Sequence, residues 1–367
     1  MPEQQPSMSR KGAIVAVFSV VFMLFFAEVS LRLINSLGLY EGLFSVLGKA
    51  KPPLDTMKPP GMFYAHPYSA YAIKPGYKRG DFERINPDGF RGNDLTNDSS
   101  DELYRIVAIG GSTTFGVYVP WDQSYPYHLE LELRNRINSK NIEVVNAGMT
   151  GSTSAESLHR LFTQILSLKP DMVIIYHAYN DLFPRVFNNF QKDYYHWRKS
   201  DPNNPPGMTR FYLWRLLIRA INPSAFHENY DLQNYVLKLE NLPESDTDRL
   251  KNFDQSSSDA FAFNMENIIL TLKANNIQPV LSTFAIHPDI WHWNDTFPAY
   301  VWEEGIRQNN EVIQLLGVKH SLPVVPFEEA MRGIKFRKYY SDSIHMTPEG
   351  NVRKAKLFAD VVERFLN

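Results

Sequence analysis

The stretch RIVAIGGSTTFG, residues 105–116, constrains this chain more than any other. Apolar residues run through 106–109, stop in Gly110-Gly111, and are followed at once by the hydroxyl of Ser112. A short apolar run closed by turn residues reads as a buried strand. Two glycines permit a sharp turn with no Cβ crowding, which leaves Ser112 free at the strand's carboxyl end. In open α/β sheets that edge is where ligands bind. Near the other terminus, SDSIHMTPEGN sets Asp342 three residues ahead of His345. Thr347 can cap the helix that follows, with Pro348 at its first position. A serine becomes a nucleophile when a base takes its proton, and the base needs an orienting group. Those three side chains are present.

Between these ends, apolar runs and helical patterns alternate. Strands are expected at 105–109, 142–145, 172–176, 279–284 and 323–327. Helices are expected at 124–138 with Leu129, Leu133 and Ile137 inward, at 261–275, at 302–316, and from Pro348 through Val352, Ala355, Ala359 and Val362. Thr153 and Glu156 form a capping box for another, with Leu158, Leu161, Phe162 and Ile165 inward. Strands spaced by helices imply right-handed crossovers and a parallel sheet covered on both faces. Residues 61–102 are expected to wrap this domain. Asn86-Pro87-Asp88-Gly89 is a turn signal, flanked by Ile85 and Phe90 as a short hairpin. The alternation breaks over an insertion at 183–260, which holds one amphipathic pattern at 209–221 (Trp214, Leu217, Ile218, Ile221). So long a segment reads as a lid, a binding insertion or a partly disordered stretch.

The N-terminus sets the compartment. Residues 12–27 are apolar and uncharged behind Arg10-Lys11. A membrane span needs about twenty residues. Continuation past Glu28 and Arg32, four apart and able to pair, supplies them. No A-x-A cleavage site follows, so 12–34 is expected to be a transmembrane signal anchor. Residues 1–11 then stay in the cytoplasm, 35–60 form a Pro-containing tether, and 103–367 form the main domain on the far, periplasmic or extracellular, side. The net charge of −2 and the lack of a basic face argue against nucleic acid as a partner, and none is expected. With no cysteine, disulfides, thiol nucleophiles and thiolate metal sites are excluded.

Four motifs stand in order: GGS ending at Ser112, NAGMTG ending at Gly151, AYND with Asn180, and DSIH with Asp342 and His345. This series resembles the SGNH (GDSL-type) hydrolases over residues 104–367. The resemblance implies a flavodoxin-like three-layer α/β/α domain that hydrolyses or transfers acyl esters. It implies Ser112 as nucleophile, His345 as base and Asp342 as its partner. The oxyanion hole would comprise the backbone N–H groups of Ser112 and Gly151 and the Asn180 amide, since a carboxylate at 180 could not donate. Two positions depart from the family pattern. Gly111 replaces the aspartate of GDS, and Ala178 stands where glycine is common. Asp181 reads as a loop support.

The expected substrate is an O-acyl ester, with O-acetyl groups on an envelope glycan favoured by the tether and the aromatic content. Two other readings stay open: an O-acyltransferase using the same attack, and a non-catalytic scaffold of polysaccharide export. No cofactor is expected. Gly110-Gly111-Ser112-Thr113 lacks the lysine of a phosphate loop, and His287 and His292 are not expected to hold a metal. Trp291, Trp293 and Trp302 could stack on sugars, but packing is the commoner role. The sequons at Asn97 and Asn294 occur at chance frequency.

Overall fold

The computed structural model describes residues 10–37, 62–66, 69–96, 103–137, 141–198, 213, 237–287 and 298–366. The chain divides into two units, 1–61 with 201–231 and 62–200 with 232–367. In the first, Arg10–Ser36 is a single helix. Its segment Val15–Ile34 is long and apolar enough to cross a membrane, spanning about 30 Å at 1.5 Å per residue. Phe18, Phe22, Phe25 and Phe26 all face outward. Glu28 and Arg32 pair at 2.8 Å one turn apart, as their spacing predicts. The expected tether begins inside this helix and lies outside the described residues from position 38 on, as does the 209–221 pattern apart from Leu213.

The second unit opens with two antiparallel pairs, β1 (Phe63–His66) with β2 (Ala70–Ile73) and β3 (Lys78–Arg79) with β4 (Glu83–Arg84). The 86–89 turn forms because the Asn86 carboxamide oxygen accepts the N–H groups of Asp88 (3.1 Å) and Phe90 (2.9 Å). Ile85 and Phe90 are buried beside it.

A five-stranded parallel sheet follows: β5 (Leu103–Gly110), β6 (Asn141–Gly148), β7 (Met172–Tyr176), β8 (Gln278–Ser282) and β9 (Val324–Val325). The spatial order is β6-β5-β7-β8-β9. Counted from β5 this is 2-1-3-4-5, the flavodoxin-like order, with its switch point between β5 and β7. Helices Tyr125–Arg136 and Pro348–Val362 pack together on one side, and Ser154–Arg160, Asp259–Ala274 and Ala299–His320 on the other. Both faces are therefore covered, which is why Ile106–Ile109 and β7 are apolar without alternation. Arg91 closes the free edge, its N–H donating to Asn146 on β6 at 3.1 Å.

Several boundaries differ from the sequence expectation. β8 ends at Ser282, and β9 is only two residues long because Pro326 has no N–H for the ladder and precedes a helix at Phe327–Ala330. The helix expected at 302–316 runs from Ala299 to His320. Phe162, expected inward, is 61% exposed. A π-turn at Leu161–Ile165 widens the helix there, keeping Leu161 and Ile165 in the core while turning Phe162 out. On the last helix Ala355, Ala359 and Val362 are buried as expected, Val352 is only half buried, and the buried face extends to Lys354 and Phe358. The described part of the insertion is structured: Phe183–Val186 and Asp246–Gln255 are helical, and Arg198 bridges Leu237.

Candidate active site

Sheet geometry brings Ser112 to the switch point. β5 ends where Gly110 lies in register with Gly148 on β6 and Tyr176 on β7. A Cβ at Gly110 would come within 2.6 Å of the Tyr176 carbonyl oxygen, so only glycine lets the chain turn there. Gly111 then caps the short helix Ser112–Phe115. The loop after it is held by buried Arg91, whose guanidinium donates to the carbonyls of Phe115 (2.6 Å), Gly116 (2.8 Å) and Val119 (2.8 Å).

The 340–346 loop presents the second pair of groups. It is closed by a Tyr340–Met346 bridge and by the Ser341 N–H donating to the His345 carbonyl at 2.8 Å. One Asp342 oxygen accepts the N–H groups of Ile344 (2.9 Å) and His345 (2.7 Å). The other lies 2.6 Å from His345 Nδ1. The opposite ring nitrogen, Nε2, lies 2.8 Å from Ser112 Oγ. Burial pushes the Asp342 carboxyl up, but the His345 ring and the two backbone donors outweigh it and hold it below the ordinary carboxylate value. An ionised Asp342 fixes the proton on Nδ1 and leaves Nε2 as an acceptor facing the serine. Both side chains are mostly shielded, His345 at 13% and Asp342 at 4% exposure.

Gly151 and Asn180 belong to the two loops beside this row. Residues 149–152 form a turn in which the Ser152 N–H donates to the Met149 carbonyl at 3.1 Å and Gly151 takes φ of +71°. The Asn180 amide donates to the Ser152 carbonyl at 2.8 Å. The same amide nitrogen would lie 2.6 Å from a Cβ at residue 111. Gly111 therefore departs from the family's aspartate at the place where Asn180 needs the room. Asp181 is wholly buried and makes its hydrogen bonds elsewhere. It accepts the Ser154 N–H at 3.1 Å and the Tyr194 hydroxyl at 3.2 Å, and burial raises it to about 7.

A shallow depression beside Ser112 is lined by Gly111, Ala178, Tyr179, Asn180, Phe284 and Ile344. Trp302 stacks on Tyr179 at 4.5 Å and is buried, a packing role; Trp291, Trp293, His292, Asn97 and Asn294 lie outside the described residues. His287 packs against the rings of Phe336 (4.9 Å) and Tyr340 (5.3 Å). Among the described residues no three histidine or acidic side chains gather as metal ligands.

Tyr118 escaped the sequence reading. Its ring meets that of His345 edge-to-face at 5.2 Å, it is 45% exposed, and its φ is +72°, a left-handed conformation rare for tyrosine. Nothing in the local sequence signals that backbone state.

The GDSL-like lipase/acylhydrolase family model matches residues 108–353, well over half of the chain. Among solved structures, the chain is similar to a lipase/acylhydrolase from Enterococcus faecalis at 17% identity, covering 71% of this chain and 95% of that one with a TM-score of 0.44. It is similar also to the acetyl xylan esterase AlAXEase at 16% identity, covering 70% and 99% with a TM-score of 0.43. No curated protein matches. The family match takes in Ser112, the 149–152 turn, Asn180 and the Asp342–His345 loop together, and on that match the chain belongs to the GDSL-like lipase/acylhydrolase family of ester-hydrolysing serine hydrolases.

Proposed function

We propose that the protein is a membrane-anchored serine esterase that removes short acyl groups, O-acetyl foremost, from a glycan outside the cytoplasm. The observation that carries this reading is the continuous row Ser112 Oγ, His345 Nε2, His345 Nδ1 and Asp342 Oδ2, at 2.8 Å and 2.6 Å. In the mechanism, His345 takes the Ser112 proton as Oγ attacks the ester carbonyl, and Asp342 stabilises the imidazolium. The N–H groups of Ser112 and Gly151 and the Asn180 amide receive the oxyanion. His345 then protonates the leaving alcohol, and water releases the acyl group from Ser112 by the reverse route.

A short acyl group suits the shallow depression beside Ser112, walled by Tyr179, Phe284 and Ile344. A glycan alcohol suits the half-exposed Tyr118 ring beside His345, because an aromatic face packs against the C–H face of a sugar. Arg10-Lys11 ahead of the apolar helix favours a cytoplasmic N-terminus with the catalytic unit on the other side.

The test is hydrolysis of p-nitrophenyl acetate and of acetylated oligosaccharides by the detergent-solubilised full chain, with labelling by a serine-reactive phosphonate. Turnover and labelling that both vanish in Ser112→Ala are expected. Acyl release that requires a glycan acceptor would replace hydrolysis by transfer. An inert, unlabelled parent protein would overturn the catalytic reading.

A further inference from the structure

We infer that Tyr71, from the N-terminal hairpin outside the family match, is a positioning residue that sets the direction of the Gly151 N–H in the oxyanion hole. This rests on the reading of Ser112, Gly151 and Asn180 given above.

The central peptide of the 149–152 turn joins the Thr150 carbonyl to the Gly151 N–H. In a trans peptide those two groups point in opposite directions, so fixing one fixes the other. Type I and type II turns differ chiefly by a flip of this same peptide, and a positive φ at the third residue belongs to type II. Gly151, at +71°, has it. A flip would turn the Gly151 N–H to the other side of the turn. Glycine permits either state, so the selection must come from outside the turn.

The Tyr71 hydroxyl supplies it, donating to the Thr150 carbonyl at 2.6 Å. The bond is buried, where hydrogen bonding also polarises the peptide and strengthens its N–H as a donor. The tyrosine is itself held. It is wholly buried, meets Phe63 edge-to-face at 5.6 Å, and packs with Ile73, Ile85, Phe115 and Met149 in a small core of its own. Phe115 ends the Ser112 helix, so one cluster braces nucleophile and turn together. Arg198 clamps the next peptide. Its guanidinium donates to the Gly151 carbonyl at 2.8 Å, pairs with Glu156 at 2.8 Å and lies 5.3 Å over the Tyr71 ring. Two successive carbonyls are thus pinned from two segments, one preceding the main domain and one in the insertion.

Tyr71→Phe keeps the ring and removes only the donor. A drop in kcat of about 10- to 100-fold on p-nitrophenyl acetate is expected, with KM within twofold. A boronate that forms a tetrahedral anion on Ser112 should weaken in parallel, because it reads the oxyanion site rather than ground-state binding. Ile142→Val, which thins the main core at the opposite end of β6 and lies outside this cluster, should lower the melting temperature and leave kcat unchanged. Should Tyr71→Phe fail to fold, Arg198→Lys loosens the second clamp while keeping charge beside Glu156, and a smaller fall in kcat with the same boronate signature is expected. If the parent hydrolyses the ester and both clamp variants match it in kcat and boronate affinity, the inference is wrong. If the parent neither hydrolyses nor labels, the reading of the site fails and this inference falls with it.

Discussion

His345 Nε2 approaches Ser112 Oγ to 2.8 Å although 233 residues separate them in sequence. The parallel sheet makes this possible. Every strand's carboxyl end lies on one edge, so the loop after the first strand of the sheet and the loop that follows the last one converge there. The contact depends on Asp342 for its tautomer. In Asp342→Asn the ring loses the carboxylate that keeps the proton on Nδ1. A fall in kcat of about 10⁴-fold is expected by analogy with other serine triads. Steady-state hydrolysis of p-nitrophenyl acetate measures it; a loss of less than tenfold would remove Asp342 from the catalytic row.

Gly111 gives a prediction that runs against the family pattern. A Cβ there would sit 2.6 Å from the Asn180 amide nitrogen. Gly111→Asp, which restores the family's own residue, should lower rather than raise turnover, by about 10- to 100-fold, through displacement of one oxyanion donor. Gly111→Ala should show most of the same loss, since the first carbon makes the clash. Equal or improved kcat in the aspartate variant would show that Asn180 relocates without consequence.

The sheet was readable in the sequence because its strands are buried on both faces and bounded by glycine, proline and charge. β5 and β7 fall on their predicted centres. Where a boundary slipped, a local cause outweighed the pattern: Pro326 cut β9 short, and the π-turn at Leu161–Ile165 rotated Phe162 outward. The residues Ser112, Gly151, Asn180, Asp342 and His345 were legible because each follows a strand end or lies in a loop with a short motif. Tyr71, Tyr118 and Arg198 were not. Their roles depend on a backbone angle or on contacts across distant segments, and neither leaves a trace in spacing. Lys354 was hidden for another reason, since a lysine in an amphipathic helix normally marks the solvent side.

That lysine is wholly buried, with Nζ 3.4 Å from the ring centre of Tyr176 and 4.1 Å from that of Tyr125. It has no hydrogen-bond partner among the described residues, and burial drives it well below its ordinary value. Cation–π attraction offsets only part of the desolvation. Lys354→Met keeps the chain length and removes the amine, so a gain of roughly 1–3 kcal/mol is expected, read as a higher melting temperature in detergent. The gain should grow as pH falls, because the unfolded lysine binds a proton that the fold resists. A lower melting temperature in the variant would show that the cation is stabilised by its aromatic box.

His177 sets a second acid-side term. Burial, with the Arg160 charge adding, lowers its imidazole from 6.5 to about 3, and the Ser157 hydroxyl lies 2.7 Å from Nε2. Below 6.5 the unfolded chain takes up a proton that the native state refuses until about 3, so acid favours unfolding through that window. Asp181 acts in the opposite sense. Raised from 3.8 to about 7, it keeps a proton in the native state that the unfolded chain has lost, so its contribution declines as pH rises through that range. In the parent the two slopes oppose. His177→Gln retains a polar partner for Ser157 but cannot charge, so it removes the first slope and exposes the second. Melting temperatures at pH 7, 5.5 and 4.5 should show the variant gaining on the parent at each step down. Parallel curves would mean that His177 titrates in the fold much as it does in the unfolded chain.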